Sequence, residues 1–269
     1  MARGPDGRGH RSGRRVLLGV VSLALALLLW EGVAASLIPR LYGSYAGALF
    51  PTPGAVFETA VDLVGTGELL KHTWASMRRV LLGVALVVVT AVPLGLAIGS
   101  SAWFRALIGP VVELIRPISP LAWIPLTLIW FGVSDLQNIS IVFITAFFPL
   151  LLNTVAGVRN VERSLTHAAL TLGAKPRQLL RYVVLPGAFP YILTGVRLSL
   201  GLGWVAIVAA ELVGAISGLG FLIEDSRSLV RSDRILLSMA AIGVVGAVLD
   251  QGLRVAQRRL LPWSPGART

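Results

Sequence analysis

The chain contains no cysteine, only three histidines and three methionines, and few charges: Asp, Glu, Lys and Arg make up 14% of its 269 residues. Each shortage removes a class of function. Without cysteine there is no disulfide framework, no thiolate metal site and no cysteine nucleophile. The scattered histidines form no His-Glu-x-x-His zinc pair. No Gly-x-x-x-x-Gly-Lys-Ser/Thr loop is present, so the chain cannot cradle ATP in that way. Gly201-Leu202-Gly203-Trp204-Val205-Ala206 has the spelling of a dinucleotide fingerprint. It lies inside an apolar run with no strand before it and reads as helix packing. Asp250 has no second Asp inside a span, and no nucleophile–base pair can be named, so no catalytic constellation is visible. Cofactors bound by this chain are therefore expected to be none, and metal sites none.

Hydrophobic residues, by contrast, make up 55% of the chain, and mean hydropathy is +0.79. Soluble domains are about a quarter charged. This is an integral membrane protein, an all-α bundle in a lipid bilayer. Runs of about 20 apolar residues cross the hydrocarbon, and six are legible. Residues 1–15 read as an irregular basic tail and 16–38 as the first transmembrane helix. A cleaved leader ending near Ala34-Ala35 is the rival reading of that run and would leave five spans. Residues 39–79 form an external loop. Within it, Thr52-Pro53 starts an interfacial helix with Val56, Phe57, Ala60, Val61 and Val64 on one face, broken at Gly65 and Gly67. Residues 80–259 hold the core and its other five spans: 80–101, 106–132, 136–158, 190–213 and 235–254. Residues 260–269 are a tail. Gly95 and Gly99 form a GxxxG that allows close helix approach. Pro117, Pro120 and Pro125 predict a kinked or discontinuous third span. Glu113 and Arg116 are spaced to pair, as are Asp250 and Arg254.

A net charge of +11 raises the question of nucleic acid, but its distribution answers it. Of the 24 Lys and Arg residues, 15 fall on the side of the termini and seven on the other, with Arg116 and Arg197 intramembrane. The larger group is Arg3, Arg8, Arg11, Arg14, Arg15, Arg105, Arg159, Arg163, Lys175, Arg177, Arg181, Arg254, Arg258, Arg259 and Arg268. That bias places both termini in the cytoplasm, and no nucleic acid is needed to explain the charge. Arg116, Arg197 and Glu211 are pathway or gate candidates, because ionisable groups inside a membrane are costly and tend to mark routes for solutes. Asp135, Glu224, Asp225 and Asp233 lie in outer loops.

The charged stretch 160–190 interrupts the second half. Ser164 is placed to cap a short helix. Leu165, Ala168, Ala169 and Leu172 share one small apolar face. Gly173 falls where a left-handed residue ends that helix. Pro176 suits the first turn of a second helix, which Leu185-Pro186 ends. The result is a helix–turn–helix elbow.

This elbow resembles the coupling loop of ABC importer permeases, a Glu-Ala-Ala motif followed by three residues, a Gly and a later hydrophobic–Pro ending. Ala168, Ala169, Gly173 and Leu185-Pro186 fall in place; His167 stands where that family usually has Glu. Further pieces match: Pro51-Thr52-Pro53, the run from His72 to Gly83, LIRPISPLAWIPLTLIWFG (114–132), LPGAFPYILTGVRLSLGLGWVAIVAAE (185–211) and SGLGFLI (217–223). Together they are similar to permeases of sulfonate, taurine and nitrate-type importers. The resemblance implies a type I, MetI-like bundle of six transmembrane helices in a bacterial plasma membrane. It implies a second permease copy, two cytoplasmic ATPase subunits that use ATP and Mg, and an extracytoplasmic solute-binding protein. It also implies a docking surface at His167, Ala168, Ala169, Leu172, Gly173, Ala174 and Pro176, with a hinge at Leu185 and Pro186. The competing class is an ion-gradient-driven secondary transporter, which is expected to show inverted repeats and paired broken helices; no convincing repeat is present.

Overall fold

The computed structural model describes residues 8–43 and 46–260, and nearly all of them are helical. The chain divides into two compact units. One runs up to Glu68 and includes Asp225–Leu237; the other holds Leu69–Glu224 and the chain from Ser238 onward.

In the first unit, α1 (Arg8–Gly32) passes through a π turn (Val33–Leu37) into α2 (Ile38–Tyr42). The helix thus starts inside the stretch expected to be an irregular tail; residues 1–7 of that tail, and 261–269 at the other end, lie outside the described residues. Extending an existing helix adds one hydrogen bond per residue fixed, and Arg is a good helix former. The membrane-crossing window is Ala24–Tyr42, shifted from the expected 16–38. A short α3 (Ala46–Leu49) precedes α4 (Pro53–Gly65). As predicted, Thr52 caps α4: its hydroxyl accepts from the Ala55 N–H at 3.3 Å, and Pro53 opens the first turn. Gly67, at φ +75°, turns the chain after it. Thr59 and Leu63 are buried, while Phe57, Val61 and Val64 of the expected interfacial face remain exposed. Thr59 Oγ1 donates to Asp233 Oδ2 at 2.7 Å, and Arg231 holds the same carboxylate.

The second unit is built on three long helices, α5 (Glu68–Ser100), α8 (Asp135–Arg159) and α11 (Leu185–Gly214). Between α5 and α8 lies the Pro-rich segment. There α6 (Ala102–Ile115) is followed by a 3-10 turn (Pro120–Trp123) and α7 (Ile124–Phe131). The two halves meet at 85°. Pro117 can neither donate to the helical ladder nor avoid the carbonyl a turn earlier, so the break falls where the sequence placed it. The last elements are α12 (Leu219–Ser228) and α13 (Ser232–Leu260). Among the described residues, five helices are long and apolar enough to span a membrane; counting the bent pair as one broken span makes six.

The core joins Val80, Val84, Val87 and Ala91 of α5 to Val142, Ala146, Leu150 and Leu151 of α8, and to Ala188, Ile192, Trp204 and Ile207 of α11. Lipid is as apolar as these side chains, so close van der Waals fit, rather than escape from water, holds such helices together. The α5 glycines supply that fit. A Cβ on Gly95 would stand 2.7 Å from Thr154 Cβ, and one on Gly99 would stand 2.6 Å from Val158 Cβ. Gly95→Val is therefore expected to destabilise the detergent-purified protein by about 1–3 kcal/mol. Gly109→Ala, where nothing lies within 4 Å of the new atom, is expected to leave the thermal midpoint unchanged. Equal midpoints for the two variants would refute the close-packing assignment.

Candidate functional site

The elbow begins with α9 (Arg163–Thr171). Its N-cap is Glu162, not Ser164; the Ser164 hydroxyl is turned onto the Glu162 carboxylate at 2.5 Å instead of onto a free N–H. The far end closes as the sequence predicted. Gly173 has φ +80°, the Gly173 N–H donates to Leu170 O at 2.9 Å, and the Ala174 N–H donates to Ala169 O at 3.0 Å. That is a Schellman closure, which favours a residue without Cβ. Pro176 opens α10 (Pro176–Leu179), and the Lys175 N–H donates to Gln178 Oε1 at 2.8 Å.

Leu185-Pro186 does not end this second arm. A π turn (Leu180–Val184) carries α10 directly into α11, and Pro176–Gly214 forms one apolar helical run of 39 residues. The wider turn accommodates a residue with no N–H to give: the Leu185 N–H reaches Leu180 O, five residues back. At the base of the elbow, a Cβ on Gly157 would meet Tyr191 Cβ at 2.7 Å and Ala188 O at 3.0 Å. The end of α8 is thereby clamped to the start of α11. Of the expected docking residues, His167, Ala168, Leu172, Gly173 and Pro176 are exposed, and Ala169 and Ala174 are half-buried. Leu172 is 88% exposed and Leu165 55%.

The three ionisable residues singled out in the spans meet different fates. Arg197 Nε donates to Asp250 Oδ1 at 2.8 Å, and Asp250 also takes Arg254, the expected pair with a third member added. Arg116 stands at the end of α6 in the break of the third span, and the expected pairing with Glu113 does not form. Among the described residues no hydrogen bond or ion pair reaches its guanidinium. It lines a cavity of about 750 Å³ with residues of the break, α8 and α11.

Glu211 is the centre of a buried cluster that sequence reading missed. Its carboxylate is 0% exposed and takes Arg79 at 2.7 Å, Ser76 Oγ at 2.8 and 2.9 Å, and the Gly220 N–H at 3.0 Å. Arg79, also buried, further donates to Ser217 O, Ser217 Oγ and Asp135 Oδ1. The Ser76 hydroxyl accepts from the Leu219 N–H at 2.9 Å, and His72 Nδ1 accepts from the Gly218 N–H at 3.0 Å. Asn138 Nδ2 holds Gly214 O at 3.1 Å. The loop 214–220 is thus fastened to α5, α8 and α11 by side chains. Gly218, at φ +119°, lies so close to the Glu211 carboxylate that any Cβ would collide with it. Asp135, assigned to an outer loop from sequence, is committed to Arg78 and Arg79. A lone acid in one apolar run and the Arg78-Arg79 pair opening another were the available signal.

Removing one member of a buried ion pair leaves its partner uncompensated. Glu211→Ala is expected to lower stability by about 3–5 kcal/mol. The double variant Arg79→Met/Glu211→Met is expected to recover much of that loss. A thermal or denaturant midpoint measured in detergent reads both, and additive losses would show that the two residues do not act as a pair.

The model of binding-protein-dependent transport system inner membrane components matches residues 91–263. Over 256 residues, 93% of this chain and 90% of the relative, the sequence is 38% identical to the taurine transport system permease protein TauC of Escherichia coli. It is 34% identical over 251 residues, 91% of this chain and 90% of the relative, to the bicarbonate transport system permease protein CmpB of Synechococcus elongatus. In fold, 73% of this chain superposes on 96% of a chain from inward-facing MetNI, a methionine ABC transporter, with TM-score 0.62 at 18% identity. The chain, with its broken third span and its elbow, belongs to the family of inner-membrane permease components of binding-protein-dependent ABC importers.

Proposed function

We propose that this chain is the transmembrane subunit of an importer that pairs with a second permease copy and accepts solute from an extracytoplasmic binding protein. It relays ATP hydrolysis by separate cytoplasmic ATPase subunits to the solute pathway. ATP and Mg are used by those subunits, and this chain binds neither. Both termini and the elbow face the cytoplasm, in keeping with the excess of Lys and Arg on that side. The solute is a small anion of the sulfonate, taurine, nitrate or bicarbonate kind. The named relatives favour this class, since taurine and bicarbonate both present an oxyanion.

The observation that carries the reading is the uncovered apolar face of α9. Leu165, Ala168 and Leu172 project from the elbow, and nothing among the described residues covers them. A leucine 88% exposed on a short polar-flanked helix is suited to a hydrophobic groove on another subunit. Small Ala168, Ala169 and Gly173 permit close approach. Displacement of the elbow's second arm passes directly into α11, because no helix end intervenes between α10 and α11. The π turn before Leu185 and Pro186 is the place where that rod can flex.

Gly173→Val forces a β-branched residue into φ +80°, a conformation that costs non-glycine residues about 1–2 kcal/mol or more. Leu172→Glu puts a charge on the docking face. Each is expected to reduce solute uptake by the assembled importer at least about tenfold, equivalent to about 1.4 kcal/mol of lost coupling. Permease level in the membrane should be unchanged, and ATPase subunits should co-purify less. Wild-type uptake in both variants would refute the docking assignment.

A further inference from the structure

Resting on that permease reading, we propose that Arg116 is the residue that contacts the passing solute, at a cavity opened by the break in the third span and suited to a small oxyanion. Three membrane-embedded charges were candidates for this role, and the structure separates them. Arg197 is held by Asp250, a carboxylate it shares with Arg254, and Glu211 is filled by Arg79, Ser76 and the Gly220 N–H. Only Arg116 of the three keeps its charge uncommitted.

The cavity it faces is lined by Ser119 of the break, Thr145, Phe148 and Asn153 of α8, and Val205 of α11, and no Asp or Glu lines it. An unpaired guanidinium beside apolar walls is costly unless water or an anion meets it. A sulfonate, carboxylate or bicarbonate group meets it well, because two oxygens match the planar fork of donors.

The neighbouring polar groups refine this. The Ser119 hydroxyl is uncommitted among the described residues, and Asn153 spends one amide hydrogen on Pro149 O at 2.8 Å and keeps the other. Thr145 donates its proton to Ile141 O at 2.7 Å and offers an anion nothing. One cation with one or two weak donors is not a tight site. At about 750 Å³ the cavity is far larger than one such anion, so the anion enters with part of its hydration. Weak contact in a wide vestibule is what passage requires, since a solute that binds firmly does not leave.

The absence of native cysteine makes the test direct. Ser119→Cys, and separately Thr145→Cys, are introduced into the full chain in membrane vesicles. Each is modified with a sulfonate-bearing and a trimethylammonium-bearing methanethiosulfonate reagent, with rates normalised to the same reagents on free cysteine. With Arg116 in place, the sulfonate reagent is expected to be favoured by about tenfold, and millimolar methanesulfonate should slow it. Arg116→Gln should bring the ratio close to one and abolish that protection. A ratio indifferent to Arg116→Gln overturns the proposal. So does failure of both reagents to react at either position, which would show the cavity filled by lipid or covered by a second copy. In the assembled importer, Arg116→Gln is expected to cut uptake by about tenfold while ATPase subunits still co-purify. Failure of the permease reading looks different: uptake survives the elbow variants whatever residue stands at 116.

Discussion

A charge pair with almost no water around it fixes one end of the longest helical run among the described residues. Arg79 and Glu211 come from helices far apart in sequence, and neither is tolerable in a membrane alone. Joined, and completed by Ser76, Ser217 and the backbone of the 217–220 loop, they fasten α5, α8 and α11 to one point. The glycines of that loop follow from the pair. Side chains there would occupy the space the carboxylate needs, and the backbone N–H groups must approach it closely.

The opposite end of the same run is the elbow. Counting its second arm, the run from Pro176 to Gly214 is 39 residues, about 58 Å at the usual helical rise. That is nearly twice the hydrocarbon thickness of about 30 Å, so the run is far longer than a single crossing needs. A force that has crossed the Gly173 turn into α10 can still be lost by bending at Pro186 or by slipping between helices. The π turn confines the first to a single turn. Against the second, the clamp between Gly157, Ala188 and Tyr191 and the Arg79–Glu211 cluster hold α8 and α11 together near both ends.

Much of this was legible in the sequence because it depends on local chemistry. The break at Pro117 and Pro120, the Thr52-Pro53 helix start, the left-handed Gly173 and the tight Gly95–Gly99 contact are each set by residues whose backbone or volume admits few alternatives. The errors came where two local rules competed. Ser164 is a good cap, but the Glu162 carboxylate two residues before it took the hydroxyl. Pro186 ends most helices, but a π turn costs less here than breaking a packed membrane rod. The buried cluster was hidden for another reason. Arg79 and Asp135 stand at the ends of their apolar runs, and nothing local to either states that residue 211 will lie beside them. Such pairings are properties of the fold.

Charge in this membrane segment thus has three distinct environments, and the environment, not the residue type, decides what each can do. Glu211 is saturated with donors and holds structure. Asp250 sits between Arg197 and Arg254 with part of its surface open, tying α11 to α13 while leaving a net positive charge. Arg116 stands where the third span bends by 85° and lines a cavity at that break. The backbone stays helical through Arg116, so Glu113 and Arg116 remain one turn apart, yet the guanidinium takes no ion pair among the described residues. Spacing alone therefore does not neutralise it. On the proposal above, the three prolines that look, in the sequence, like a defect in a transmembrane helix are what make room for a solute beside that charge.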